Sequence, residues 1–182
     1  MLDLEISRRR LLVGSACLVA ASLLPTTAHA SRTAPARMLR FYNPNTGERA
    51  SACYWENGRY IHDGLQEFSW LFRDHRAGDL QIPIDAKLFD QLFELQRKLG
   101  VQKEIHVVCG YRSAQTNASL RRSSRGVAKK SLHMKGQAID IRISDIPTKD
   151  LRDIAVSLKC GGVGYYSDSD FVHLDTGDFR TW

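Results

Sequence analysis

SLHMKGQAIDIRI, residues 131–143, sets a histidine and a glycine ahead of a run that alternates with period two. Ala138, Asp140 and Arg142 fall on one face of that run, and Ile139, Ile141 and Ile143 on the other. The pattern predicts a half-buried strand whose isoleucines face the core. Asp140 therefore faces away from them. A carboxylate buried without a partner is costly, whereas one that binds a metal has its partner.

A second stretch carries the same pattern. In FVHLD, residues 171–175, Phe171, His173 and Asp175 share a face, with Val172 and Leu174 on the other. If the two strands pair, His173 and Asp140 converge. His133 lies just before its strand, on a loop that Gly136 lets turn back. Two imidazoles and a carboxylate on adjacent strands make a three-ligand set with one position open, the composition of a catalytic zinc site. Spacing alone leaves the simpler readings open: a solvated carboxylate, and histidines at the surface or satisfied in the core.

Outward from these strands the chain reads as one domain. MLRFYNPNTGERASACYWENGRYI is a hairpin with turns at Asn43–Gly47 and Glu56–Gly58. GLQEFSWLFRDHRAG is a helix stopped by Gly78, and the Leu88/Leu92/Leu95/Leu99 stripe is a second, capped by Asp85 and ended by Gly100. EIHVVCG is a strand, SAQTNASLRRSS a short polar helix, and IPTKDLRDIAVSLK a helix opened by Pro147. GGVGYYSDSDFVHLDT is a hairpin turning at Ser167–Ser169. GGVG lacks the Lys-Ser/Thr and the strand–helix setting of a phosphate loop. Helices early and strands late indicate α+β: a small, mostly antiparallel sheet with helices packed on one side.

Residues 1–30 differ in kind. A basic start, an uncharged stretch Leu11–Leu24 and Ala28-His29-Ala30 fit a signal peptide cleaved after Ala30. The apolar stretch is shorter than the about 20 residues of a membrane span. Ser7-Arg8-Arg9-Arg10-Leu11-Leu12 resembles the twin-arginine export signal. Residues 31–37 read as a flexible leader and 38–182 as the domain. The whole chain carries +6; the signal holds +1 of that, leaving +5 on 152 residues. So modest a charge suits an anionic partner such as cell wall, and is too weak to indicate nucleic acid. No stable membrane insertion is expected after cleavage, and the oligomeric state is left open. Cys53, Cys109 and Cys160 remain, an odd number without a CxxC pair. Cys109 alternates with Ile105 and Val107 and is expected in the core.

SLHMKGQAIDIRI with FVHLDTG resembles the His-x(6)-Asp … His signature of the zinc DD-peptidases of the VanX and Hedgehog-like group, and the likeness extends to GYRS at 110–113. SRGVAKKSLHMKGQAID and GGVGYYSDSDFVHLDTG are similar, more narrowly, to its murein endopeptidases. The resemblance implies a Zn²⁺ held by His133, Asp140 and His173 on the face of a Hedgehog/DD-peptidase-like sheet. It also implies a periplasmic enzyme acting on peptidoglycan, cutting D-alanine–diaminopimelate crosslinks and also those between two diaminopimelates.

Arg112 is then the candidate for binding the oxyanion or a substrate carboxylate. The general base is Asp170, three residues before His173 where carboxypeptidase relatives carry Glu, or Asp175, or neither. Phe171 stands where other relatives carry a second histidine and cannot serve. The basic run RRSSRGVAKK, 121–130, is a solvated face or a substrate-steering rim. Tyr165 and Tyr166 either line a cleft or pack the hairpin. The rival functions are a D,D-carboxypeptidase, a non-catalytic wall-binding protein, and a Cys–His hydrolase using Cys109 or Cys160.

Overall fold

A computed structural model of the chain describes residues 35–124 and 126–182. The expected signal peptide, residues 1–30, lies outside the described residues, as does most of the leader. The described part opens with β1 (Arg37–Asn43), β2 (Glu48–Glu56) and β3 (Arg59–Tyr60), followed by α1 (His62–Leu71) and α2 (Ala86–Leu99). Then come β4 (Ile105–Cys109), α3 (Ala114–Ser123), β5 (Ala138–Ile143) and α4 (Thr148–Leu158). β6 (Gly162–Tyr166), β7 (Phe171–Asp175) and β8 (Arg180–Thr181) complete it.

All eight strands form one sheet in the order β3-β2-β1-β4-β5-β7-β6-β8. Pairing is antiparallel except between β1 and β4 and between β6 and β8. The early hairpin is thus no separate layer. It joins the late strands through the parallel β1–β4 pair, and the result is the mostly antiparallel α+β sheet expected.

The helices form where the sequence punctuates them. Asp85 accepts the Lys87 N–H at the start of α2, and Gly100 ends it in the left-handed conformation. Pro147 opens α4, where its missing N–H costs nothing. α1 stops seven residues short of Gly78. There the Phe72 carbonyl accepts from the Tyr111 N–H at 2.7 Å. Asp74 turns inward, its carboxylate accepting from the N–H groups of Arg76 and Ser113. A buried acid that ties this turn to residues 111–113 outweighs the helical pattern.

The core lies between the sheet and α1, α2 and α4. Phe41 on β1 meets Phe68 and Phe72 edge-on at 4.8 and 4.9 Å between ring centroids. Leu88, Leu92 and Leu95 of α2 and Ile139, Ile141 and Ile143 of β5 are buried in the same cluster. α3 contributes no side chain to it. Its Asn117 donates instead to the Ala128 carbonyl and pins the segment leading to His133. Among the described residues no helix is long and apolar enough to cross a membrane.

Candidate metal centre

One rung of the sheet builds the site. Across β4, β5, β7 and β6 the residues directly opposite one another are Cys109, Asp140, His173 and Gly164. Residues opposite each other share a face, so the polar members stand together, away from the isoleucine side. His133 enters from the short 3-10 turn Leu132–Lys135, which Ser131 caps and Gly136 closes with φ +66°.

Three donor atoms converge. His173 Nδ1 lies 2.8 Å from Asp140 Oδ1, and His133 Nε2 lies 3.1 Å from His173 Nδ1. His133 Nε2 to Asp140 Oδ1 is 3.3 Å. Donors on a tetrahedral ion with bonds of about 2.0–2.1 Å stand about 3.3 Å apart. The remaining nitrogens are also assigned: His133 Nδ1 faces the Gly110 carbonyl at 2.7 Å, and His173 Nε2 faces Asp175 Oδ2 at 3.1 Å. Acceptors at those atoms fix both tautomers with the inner nitrogens free for a cation.

Electrostatics point the same way. Burial lowers the basicity of His133, but the Asp140 carboxylate and the Cys109 thiol outweigh it and push the imidazole up to about 10. Burial raises Asp140, but His133 and His173 hold it well below the usual carboxylate range. Both shifts have the same cause, a carboxylate beside two imidazoles, which favours positive charge between them.

Cys109 is not on the core face. The register slips by one residue between Val107, opposite Ile141, and Cys109, opposite Asp140. This bulge turns the thiol toward the donors, and the ligand atoms of Cys109, His133 and Asp140 all lie within 4.8 Å of one another.

The two carboxylates singled out as bases occupy other positions. Asp175 has no exposed side-chain surface. It accepts from His173 Nε2, the N–H groups of Gly162 and Gly177, and Arg180. Burial raises its carboxyl, but those donors outweigh it and hold it low. Its oxygens are engaged by these donors behind the His173 imidazole. α2 reaches the same place: Gln91 donates to the Asp175 backbone carbonyl at 3.2 Å.

Asp170 takes a left-handed conformation just before β7, so Phe171 rather than Asp170 turns to the cleft. Its side chain, 64% exposed, accepts from Thr148 at 3.0 Å and lies 3.6 Å from Arg142.

A cleft of about 280 Å³ opens over the cluster. Arg112 lines it, only 9% exposed. It donates to Ser131 Oγ at 3.1 Å, leaves Nε without a partner, and makes no ion pair among the described residues. A buried guanidinium without a carboxylate suits an anion from outside. Lys130 carries the basic run to the cleft edge. Tyr166 lines the cleft, stacked on Phe171 at 4.6 Å, whereas Tyr165 packs toward the core beneath Arg152. Among the described residues, Asp140 and Asp175 are the only carboxylates on the lining. Trp182, which the sequence did not single out, borders His173 with ring centroids 5.3 Å apart.

A family model described as Peptidoglycan L,D-endopeptidase MepK (Peptidase_M15_2) matches residues 31–182. "Peptidoglycan L,D-endopeptidase MepK" of Escherichia coli (strain K12) is 45% identical over 179 residues, 98% of each chain. "Probable peptidoglycan L,D-endopeptidase MepK" of Haemophilus influenzae is 45% identical over 163 residues, 88% of this chain and 87% of the relative.

Proposed function

The chain belongs to the Peptidase_M15_2 family of peptidoglycan L,D-endopeptidases, and from that premise we propose that it hydrolyses peptide crosslinks of peptidoglycan as a zinc metallopeptidase. The observation that carries the reading is the convergence of His133, Asp140 and His173 at 2.8–3.3 Å beneath an open cleft. Two imidazoles and a carboxylate are the donors Zn²⁺ takes in catalytic sites. Bound there, zinc would supply an activated water and polarise the scissile carbonyl.

The chain's own residues do the rest. Asp175 and the Gly110 carbonyl hold the two imidazoles in one tautomer. Arg112, on the cleft lining, would offer its guanidinium to the oxyanion or to a stem carboxylate. Asp175 is engaged by His173 and Arg180, and Asp170 turns toward Thr148, so we assign the general-base role to neither carboxylate.

The substrate bond follows from stereochemistry. A crosslink between two meso-diaminopimelates joins the acyl group of an L centre to the amine of a D centre. A D-alanine–diaminopimelate crosslink joins two D centres. The L,D designation of the relatives favours the former bond here, with the latter as a second substrate. A substrate of this kind places the enzyme in the periplasm or outside the cell, and the Arg8-Arg9-Arg10 leader supports the twin-arginine route.

The test is digestion of purified peptidoglycan and of defined crosslinked dimers, with and without chelator, beside His133→Ala. Release of monomers that both interventions stop is expected. Zinc binding with no release would leave a wall-binding protein, and loss of terminal residues only would leave a carboxypeptidase. The nearness of Cys109 to His133 keeps a thiol hydrolase as the second reading. It requires hydrolysis that survives chelation and vanishes in Cys109→Ala.

A further inference from the structure

Trp182 is held from several sides. Its N–H donates to the Val163 carbonyl at 3.3 Å, and its own carbonyl accepts from Tyr165 at 3.0 Å. These bonds extend the parallel β6–β8 pairing of Gly162 with Arg180 and Val163 with Thr181. The indole Nε1 donates to the Tyr166 hydroxyl at 3.0 Å, and the Arg180 guanidinium lies 5.0 Å from the ring centroid. Its seat is Gly164, the member of the site rung opposite His173, where a Cβ would stand 2.7–2.8 Å from three indole atoms. Yet half the residue remains exposed. A rigid aromatic surface beside the donor cluster is an apolar face without a partner in the chain.

The cleft is therefore sided by origin. β6–β8 and the residue after them supply Tyr166, Phe171 and Trp182, with Arg180 paired to Asp175, while the segments around 112 and 130 supply Arg112 and Lys130. A diamino acid in a crosslink has matching chemistry, an aliphatic arm that ends in a free carboxylate at its D centre. We propose that Trp182 is a specificity-determining residue, packing the aliphatic arm of the crosslinking diamino acid while its free carboxylate meets Lys130. This rests on the endopeptidase reading and names the part of the substrate that the aromatic wall recognises.

The experiment compares wild type, Trp182→Ala, Trp182→Phe and Gly164→Ala. On a defined crosslinked dimer, Trp182→Ala raises KM about tenfold with little change in kcat. Trp182→Phe, which keeps an aromatic face, recovers most of the loss. Gly164→Ala, which displaces the ring, moves KM in the same direction and carries the test should Trp182→Ala not fold. Binding is read separately with an uncrosslinked stem peptide, the reaction's product. It changes tryptophan emission in wild type and not in Trp182→Phe, since Trp55 and Trp70 do not line the cleft. An unchanged KM in Trp182→Ala, or an emission change that persists in Trp182→Phe, overturns the proposal. Binding through Trp182 without any hydrolysis would instead defeat the endopeptidase reading and leave this one standing.

Discussion

His173 and Asp175 stand two residues apart on one face of β7, and the imidazole Nε2 meets the Asp175 carboxylate at 3.1 Å while Nδ1 points to Asp140 at 2.8 Å. One imidazole thus joins the donor cluster on one side to a fully buried anion on the other. An outer acceptor of this kind sets both the tautomer and the basicity of a metal-binding histidine.

Asp175→Asn, which cannot accept on every side, should weaken zinc binding about 10–100-fold, read by competition with a chromophoric chelator. Affinity equal to wild type would remove Asp175 from the metal's support.

The same carboxylate makes stability depend on pH. Its folded pKa lies below the unfolded value of about 3.9. The unfolded state therefore binds the proton first as pH falls. Stability from this group is complete above the unfolded value and is lost as pH drops through the folded one. Urea midpoints of metal-free protein should fall steeply below pH about 4, and Asp175→Asn should flatten that limb.

Asp170→Asn should keep most of the wild-type kcat on crosslinked dimers, because the carboxylate bonds Thr148 and lies outside the cleft. General-base loss typically costs 10²–10⁴-fold. A fall of that size with zinc still bound would return Asp170 to the chemistry.

Arg112→Ala should lower kcat by about 10²–10³ while leaving zinc content unchanged, as expected when one donor to a developing oxyanion is lost. Loss of metal together with activity would show that the guanidinium supports the fold around Ser131 instead.

Cys109 should react with a small alkylating reagent in metal-free protein and be protected by zinc, since its sulfur shares the space of His133 and Asp140. Exposed Cys160 provides the internal control, reacting alike in both states. Mass analysis of the two peptides reads the difference.

Alternation along 138–143 and 171–175 was enough to put Asp140 and His173 on one face, and the structure sets them directly opposite. Counting by twos failed at Cys109, because a bulge at Val108 reverses the parity that Ile105 and Val107 had set. It could not place Asp170 either, since a left-handed residue ahead of a strand obeys no strand period. The early end of α1 is decided by the bond from Ser113 N–H to Asp74, 39 residues away. β8 has two residues and no pattern of its own. It exists through its pairing with β6, and Trp182 was therefore invisible as a neighbour of His173.

The rung that joins Cys109, Asp140, His173 and Gly164 draws on four strands, and the two imidazoles of the donor cluster come from positions 40 apart. Non-local pairing of this kind is slow to form, because loops close before contacts reward them. No fragment ending before β7 carries all of His133, Asp140 and His173, so that donor set forms only once β7 has paired with β5. A cation at a hundred times its Kd would then add about 2.7 kcal/mol to the finished state alone. The metal would act as a thermodynamic proofreader, favouring chains whose last strands have found their places.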